Sequence, residues 1–325
     1  MIKSNSYFSR VLCALLLCAG LLCAGCTDDP LGDDQNTEVE KELITVKLSC
    51  IGEISDIITT PLRSSSLTSK DLCAIQVYSL DASGKTTPYA RGLFDDLSNV
   101  SITLVDGNQY KFKVLYLKNA KNKIDNIEGR YFKPFNTSAS STSSVTNTFD
   151  YNNSEQFRNL SYESGTFEMY GSQYDRYNDE LYYGRIDSYT PSKNGNVSIS
   201  LKKSFWALKV VANWGKSITK GELQIGINRA PSLSLPYSQS TNSIKTYISL
   251  VNYDEPLSNE NCSENVNVSI NYVVDGTTTP VANQNIDFQR NTLTTLVVSI
   301  GADPVNDMTF EFESNNLIDK GTIEF

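Results

Sequence analysis

Ser101-Ile102-Thr103-Leu104-Val105-Asp106-Gly107-Asn108-Gln109-Tyr110-Lys111-Phe112-Lys113-Val114-Leu115-Tyr116-Leu117 is the stretch that decides the fold class. Ile102 and Leu104 alternate with Ser101 and Thr103. Tyr110, Phe112, Val114 and Tyr116 then share one face, and Lys111 and Lys113 on the other mark that side as wet. A period of two is the signature of a half-buried strand. Asp106-Gly107 lies between the two runs, and both residues tolerate positive φ. The link therefore reads as a hairpin turn.

The same grammar extends in both directions. Ile44, Val46, Leu48 and Cys50 alternate with Thr45, Lys47 and Ser49, and Ile75 and Val77 open another strand before the turn Asp81-Ala82-Ser83-Gly84. Further on come Val197, Ile199 and Leu201, then the more continuously apolar Phe205 to Ala212, which reads as a central strand covered on both faces. Leu223 to Ile227, Val266 to Tyr272, the turn Asp275-Gly276, Leu296 to Ile300 and Met308 to Phe312 complete the set. Helical periodicity with caps is nearly absent. Many short strands at this spacing predict an all-β protein of antiparallel sandwiches.

Two segments break the pattern. Residues 136–148 are almost all Ser, Thr and Asn and have nothing to bury. Residues 162–189 carry many tyrosines among acidic and amide residues. The expected division is an N-terminal domain over 42–198, holding this long insertion, and a C-terminal domain over 199–325.

The N-terminus carries an address. Lys3 and Arg10 precede the apolar run Val11 to Leu22, and Cys23-Ala24-Gly25 leads to Cys26. That run is shorter than the roughly 20 residues a spanning helix needs. It resembles the signal and lipobox of bacterial lipoproteins, with Cys23 where the pattern usually has Leu. The resemblance implies a cleaved signal over 1–26 and a diacylglycerol on Cys26. Residues 27–41 then read as a flexible acidic tether, beginning Thr27-Asp28-Asp29-Pro30. An acidic cluster at that place resembles the export tag of Bacteroidota-type lipoproteins, which implies lipid attachment to the outer membrane, facing the exterior.

Composition excludes several classes. The 325 residues carry a net charge of −9, and the signal removes only basic residues, so what remains is more acidic still. Such a chain repels nucleic acid, and no basic patch with interleaved aromatics offsets that. There is no histidine. That removes Ser-His-Asp and Cys-His catalysis, the imidazole base and His-ligated zinc. No cofactor is expected, and the reading is not that of an enzyme. Beyond the signal remain Cys50, Cys73 and Cys262, which allow one disulfide of undetermined pairing; buried structural thiols are the favoured reading.

Individual site motifs are sparse. Asp95-Asp96 and Asp179-Glu180 are adjacent carboxylates, which on a strand point to opposite faces instead of flanking one bond. Asp175 to Glu180 has calcium-friendly oxygens without the spacing of a recognised loop. Tyr174, Tyr177, Tyr182 and Tyr183 are candidates for contact with a host or dietary glycan, or else cover the sheet beneath the insertion.

Taken in order, several features resemble the fimbrillin-like surface lipoproteins of the Bacteroidota. They are the lipobox at Cys26, the strand at 43–50 followed by Pro61-Leu62-Arg63-Ser64, and the block from Pro88 to Leu117. Asp179 to Gly184, Leu201 to Val211 with Lys202-Lys203-Ser204-Phe205, and Arg290-Asn291 continue the series. The resemblance implies two transthyretin-like sandwich domains in tandem and a role as fimbrial subunit, anchor or tip adhesin. It also implies proteolytic maturation at Arg63, release of the first strand and strand exchange with other fimbrial subunits, the terminal run from Met308 to Phe325 filling the vacated groove. A glycan-binding lipoprotein accompanying an outer-membrane sugar importer is the alternative.

Overall fold

The computed structural model describes residues 41–53, 71–123, 126–127, 130–131, 143–151, 180–228, 230–301 and 308–316. Strands dominate. In chain order they are β1 (Leu43–Gly52), β2 (Leu72–Leu80), β3 (Thr86–Phe94), β4 (Ser101–Val105), β5 (Gln109–Leu117), β6 (Asn126–Ile127), β7 (Arg130–Tyr131), β8 (Ser143–Ser144) and β9 (Leu181–Tyr189). Then follow β10 (Asn196–Lys203), β11 (Phe205–Trp214), β12 (Glu222–Ile227), β13 (Ala230–Pro236), β14 (Asn242–Ser249), β15 (Ser263–Val274), β16 (Thr277–Gln289), β17 (Thr292–Ile300) and β18 (Met308–Asn316). Short helical turns span Ala120–Lys123 and Glu255–Leu257.

A seven-stranded sheet runs β3-β2-β5-β9-β10-β1-β4. Its inward residues form one core, in which Val46, Ile75, Leu104, Phe112, Tyr182 and Ile199 are all buried. Two four-stranded sheets, β14-β11-β17-β18 and β13-β12-β15-β16, share a second core. There Trp206 stacks on Phe288 at 3.9 Å, with the rings 9° from parallel. The chain leaves the first sheet at Lys203 and enters the second set at Phe205, with only Ser204 between. Most neighbours are antiparallel, as expected. Two pairs, β1 with β10 and β11 with β17, are parallel.

Asp106-Gly107 does not make a hairpin. β4 lies at one end of its sheet against β1, while β5 sits between β2 and β9. The link carries the chain from one wall of the core to the other. The reason lies in β5, whose outward face also buries Leu115 and Leu117 and therefore demands covered neighbours on both sides. The short β4 keeps Ser101 exposed and suits an edge. For the same reason the wet side expected at Lys111 and Lys113 is dry at Lys113, which is buried with its ammonium over the Tyr78 ring. A third cluster, in which Tyr253 joins Leu72, Leu115, Leu181 and Tyr183, forms on that outward face. The central strand β11 is covered on both faces only from Phe205 to Leu208; Lys209 and Val211 are half-exposed.

Candidate functional site

The first strand and the seat that holds it are the arrangement with most functional content. Ile44, Val46, Leu48 and Cys50 enter the first core, while Leu43, Thr45 and Lys47 face out. Its N-terminal half pairs antiparallel with β4, from Leu43 opposite Val105 to Lys47 opposite Ser101. Its C-terminal half pairs parallel with β10, from Lys47 opposite Asn196 to Gly52 opposite Leu201. The strand is thus gripped along both edges. Gly52 has a φ of +121°, and a Cβ there would run into the Leu201 carbonyl, so only glycine fits the exit.

Beyond Gly52 the chain is latched. The Glu53 carboxylate accepts from the Lys203 backbone N–H at 2.8 Å and from both terminal nitrogens of Arg290, at 2.6 and 3.3 Å. Arg290 stands in the two-residue link between β16 and β17, in the second set of sheets, and is 7% exposed. Its guanidinium also donates to the Glu260 carbonyl at 2.7 Å and the Lys203 carbonyl at 3.1 Å. Lys202 lies 3.7 Å from Glu53 and also pairs with Glu260, whose carboxyl its hydrogen bond holds below the ordinary carboxylate range. A charge-assisted, forked pair of this kind joins the end of β1 to a segment far away in sequence.

At the other border of the seat, β4 presents its open edge to three tyrosines. Tyr89 donates its hydroxyl to the Thr103 carbonyl at 2.9 Å. Tyr151 accepts from the Thr103 N–H and Tyr110 from the Val105 N–H, each at 2.9 Å. The rings meet edge to face, Tyr89 to Tyr110 at 4.9 Å and Tyr89 to Tyr151 at 5.7 Å. Burial, with Tyr110 beside it, pushes the Tyr89 hydroxyl well above its usual value and keeps it a donor.

Of the residues singled out from sequence, Cys26, Arg63, Tyr174 and Tyr177 lie outside the described residues. So do Ile323 and Phe325. Tyr182 and Tyr183 correct the glycan-contact expectation, because both are buried. Tyr182 packs edge-on against Tyr116 and Phe205, each at 5.6 Å, and Tyr183 against Tyr253 at 5.0 Å. Neither offers a ring face to a sugar. Their burial follows the other reading of these tyrosines, as cover for the sheet. Asp95 is engaged by Lys121 and by the Asn147 amide at 2.7 Å, and Asp96 caps the Ser98 N–H at 2.8 Å, so the pair is structural. Cys50, Cys73 and Cys262 are buried and free. β18 exists as a strand against β17. Among the described residues no group of three or more acidic or cysteine side chains is placed to hold a metal ion, and no helix is long and apolar enough to cross a membrane.

Glu53 and the edge tyrosines escaped the sequence reading. A glutamate just past a glycine looks like loop, and nothing in the pattern marks its partner. A faint signal existed for Tyr110, which stands in register with the core face yet follows the turn by only a few residues.

No protein-family model matches the chain, and no curated protein sequence does. Solved structures are similar. A candidate cell adhesion protein from Bacteroides eggerthii is 11% identical, matching 85% of this chain and 96% of its own with a TM-score of 0.37. The fimbrial anchor protein Mfa2 from Porphyromonas gingivalis is 8% identical over 84% of this chain and 97% of its own, with a TM-score of 0.37. A candidate adhesin from Bacteroides thetaiotaomicron is 8% identical over 86% and 99%, with a TM-score of 0.39.

Proposed function

We propose that the chain is a cell-surface lipoprotein of structural or adhesive role, a fimbrial subunit, anchor or tip protein held to the outer membrane through Cys26. In this reading two sandwich domains follow one another in tandem, the first over 42–198 and the second over 199–325. The observation that carries the reading is the seat of β1: one N-terminal strand, alternating and apolar inward, gripped along both edges and followed by a segment containing Arg63. A strand so seated is the unit that strand exchange would replace, because the vacated groove presents unpaired backbone on both sides.

Cleavage tests it. Limited trypsin treatment at Arg63, followed by mild warming, is expected to yield oligomers by size exclusion, and deletion of residues 321–325 to suppress them. A cleaved sample that stays monomeric with its N-terminal fragment bound would count against a polymerising subunit and leave an anchor or adhesin. Cys26→Ala is expected to remove the protein from the membrane fraction; labelled palmitate still entering that variant would sink the anchor assignment. The glycan-binding alternative is left with Tyr174 and Tyr177, and no observation favours it.

A further inference from the structure

We propose that Cys50 and Cys73 form a disulfide that staples β1 to β2 through the first core. Cys50 is the last inward residue in the alternation of β1, and Cys73 sits near the start of β2 with no exposed surface. β1 and β2 are not neighbours in their sheet, where β5, β9 and β10 stand between them, so the two side chains meet only through the interior. Both are buried in the same core, where Cys50 is close enough to act on the Cys73 thiol. Cys262 belongs to the other core. Topology thereby selects one pairing from the three that the cysteine count allows.

The bond forms by exchange with an organic disulfide. The Cys50 thiolate attacks one sulfur and expels a thiolate. The Cys73 thiolate then attacks the mixed disulfide and expels the second. Two cysteines are oxidised, one external disulfide is reduced to two thiols, and the protons follow the departing sulfurs. Burial first, and the neighbouring Cys50 second, hold the Cys73 thiol well above its ordinary value, so the folded, reduced pair exchanges slowly. The bond is therefore made while the chain folds, before the core closes.

The covalent loop would run from Cys50 to Cys73 and enclose Arg63. A cut at Arg63 would then leave β1 attached to the body of the protein, and only reduction would free it. This consequence rests on the proposed release of the first strand; the staple itself does not. The full chain, unfolded and refolded with oxidised glutathione, then denatured and alkylated without reductant, is expected to give one peptide pair joining Cys50 to Cys73, with Cys262 alkylated. Free, alkylated Cys50 and Cys73, or a link from either to Cys262, overturns the staple. Trypsin-cut oxidised protein is expected to keep its N-terminal fragment on a non-reducing denaturing gel, to lose it on reduction, and to oligomerise only when reduced. A confirmed peptide pair without oligomers after reduction keeps the staple and sinks the strand-release reading; a Cys50→Ala variant that sheds the fragment unreduced supports the staple a second way.

Discussion

Two Asp-Gly links in this chain do opposite things. Asp275-Gly276 joins β15 to β16 as a tight hairpin, with φ of 50° and 78° and the ladder running on from Val274 opposite Thr277. Both central residues sit in the left-handed region, as a type I′ turn requires. Asp106-Gly107 has only its glycine there, at 73°, and arches from an edge strand to a central one. The dipeptide permits a reversal without deciding which strands it joins. That decision belongs to the flanking faces. β15 buries one face and leaves the other more open, and β16 is half-buried to exposed up to Phe288, whereas β5 is buried on both faces and suits the middle of a sheet.

The two kinds of link are also held differently. A hairpin is locked by the ladder that follows it. An arch has no ladder and must be held by side chains: the Asp106 carboxylate on the Gly107 N–H at 2.8 Å, the Tyr110 hydroxyl on Val105, the Ser204 hydroxyl on the Tyr253 carbonyl at 2.6 Å, and Arg290 on Glu53. Substitutions in arches should therefore cost more than substitutions in the hairpin.

The largest effect is expected at the arch between β16 and β17. Arg290→Ala leaves Glu53 without its forked partner and strips two backbone carbonyls of donors, at a cost of about 3 kcal/mol in denaturant unfolding. A loss below about 1 kcal/mol would break the distinction. Tyr110→Phe keeps the ring and orphans the Val105 N–H, and about 1–2 kcal/mol should go, with the m-value unchanged. Ser204→Ala removes a buried hydroxyl from the Tyr253 carbonyl and is expected to cost about 1 kcal/mol, read from the same titration. Asp275→Asn, in the hairpin, should move stability by less than about 0.5 kcal/mol, because Asn suits the same turn position and the lost pair with Lys220 is exposed. If Asp275→Asn proved as costly as Ser204→Ala, the hairpin would need a side-chain lock too.

What the sequence could reveal follows from range. The alternation of Ile44 to Cys50 and of Tyr110 to Tyr116 is a property of the strand itself, and it placed the inward faces correctly. The outward burial of Lys113 was hidden because the ring beneath its ammonium, Tyr78, belongs to another strand. Leu115 and Leu117 on the same face were the available hint. Tyr182 and Tyr183 were legible as aromatic but not as core, since composition around them is polar on one side. Glu53 and Arg290 stand 237 positions apart, and no local pattern announces such a pair.

The tyrosines along β4 bear on how the protein tolerates crowding. A bare strand edge on a densely populated surface invites neighbouring copies to dock and seed uncontrolled sheets. Here both backbone groups of Thr103 and the N–H of Val105 are already engaged by hydroxyls, and a docking copy would have to displace three rings to reach them. The rim of the first sheet is thus kept quiet by side chains drawn from three different segments, and the molecule keeps to itself along that border without needing charge or proline there.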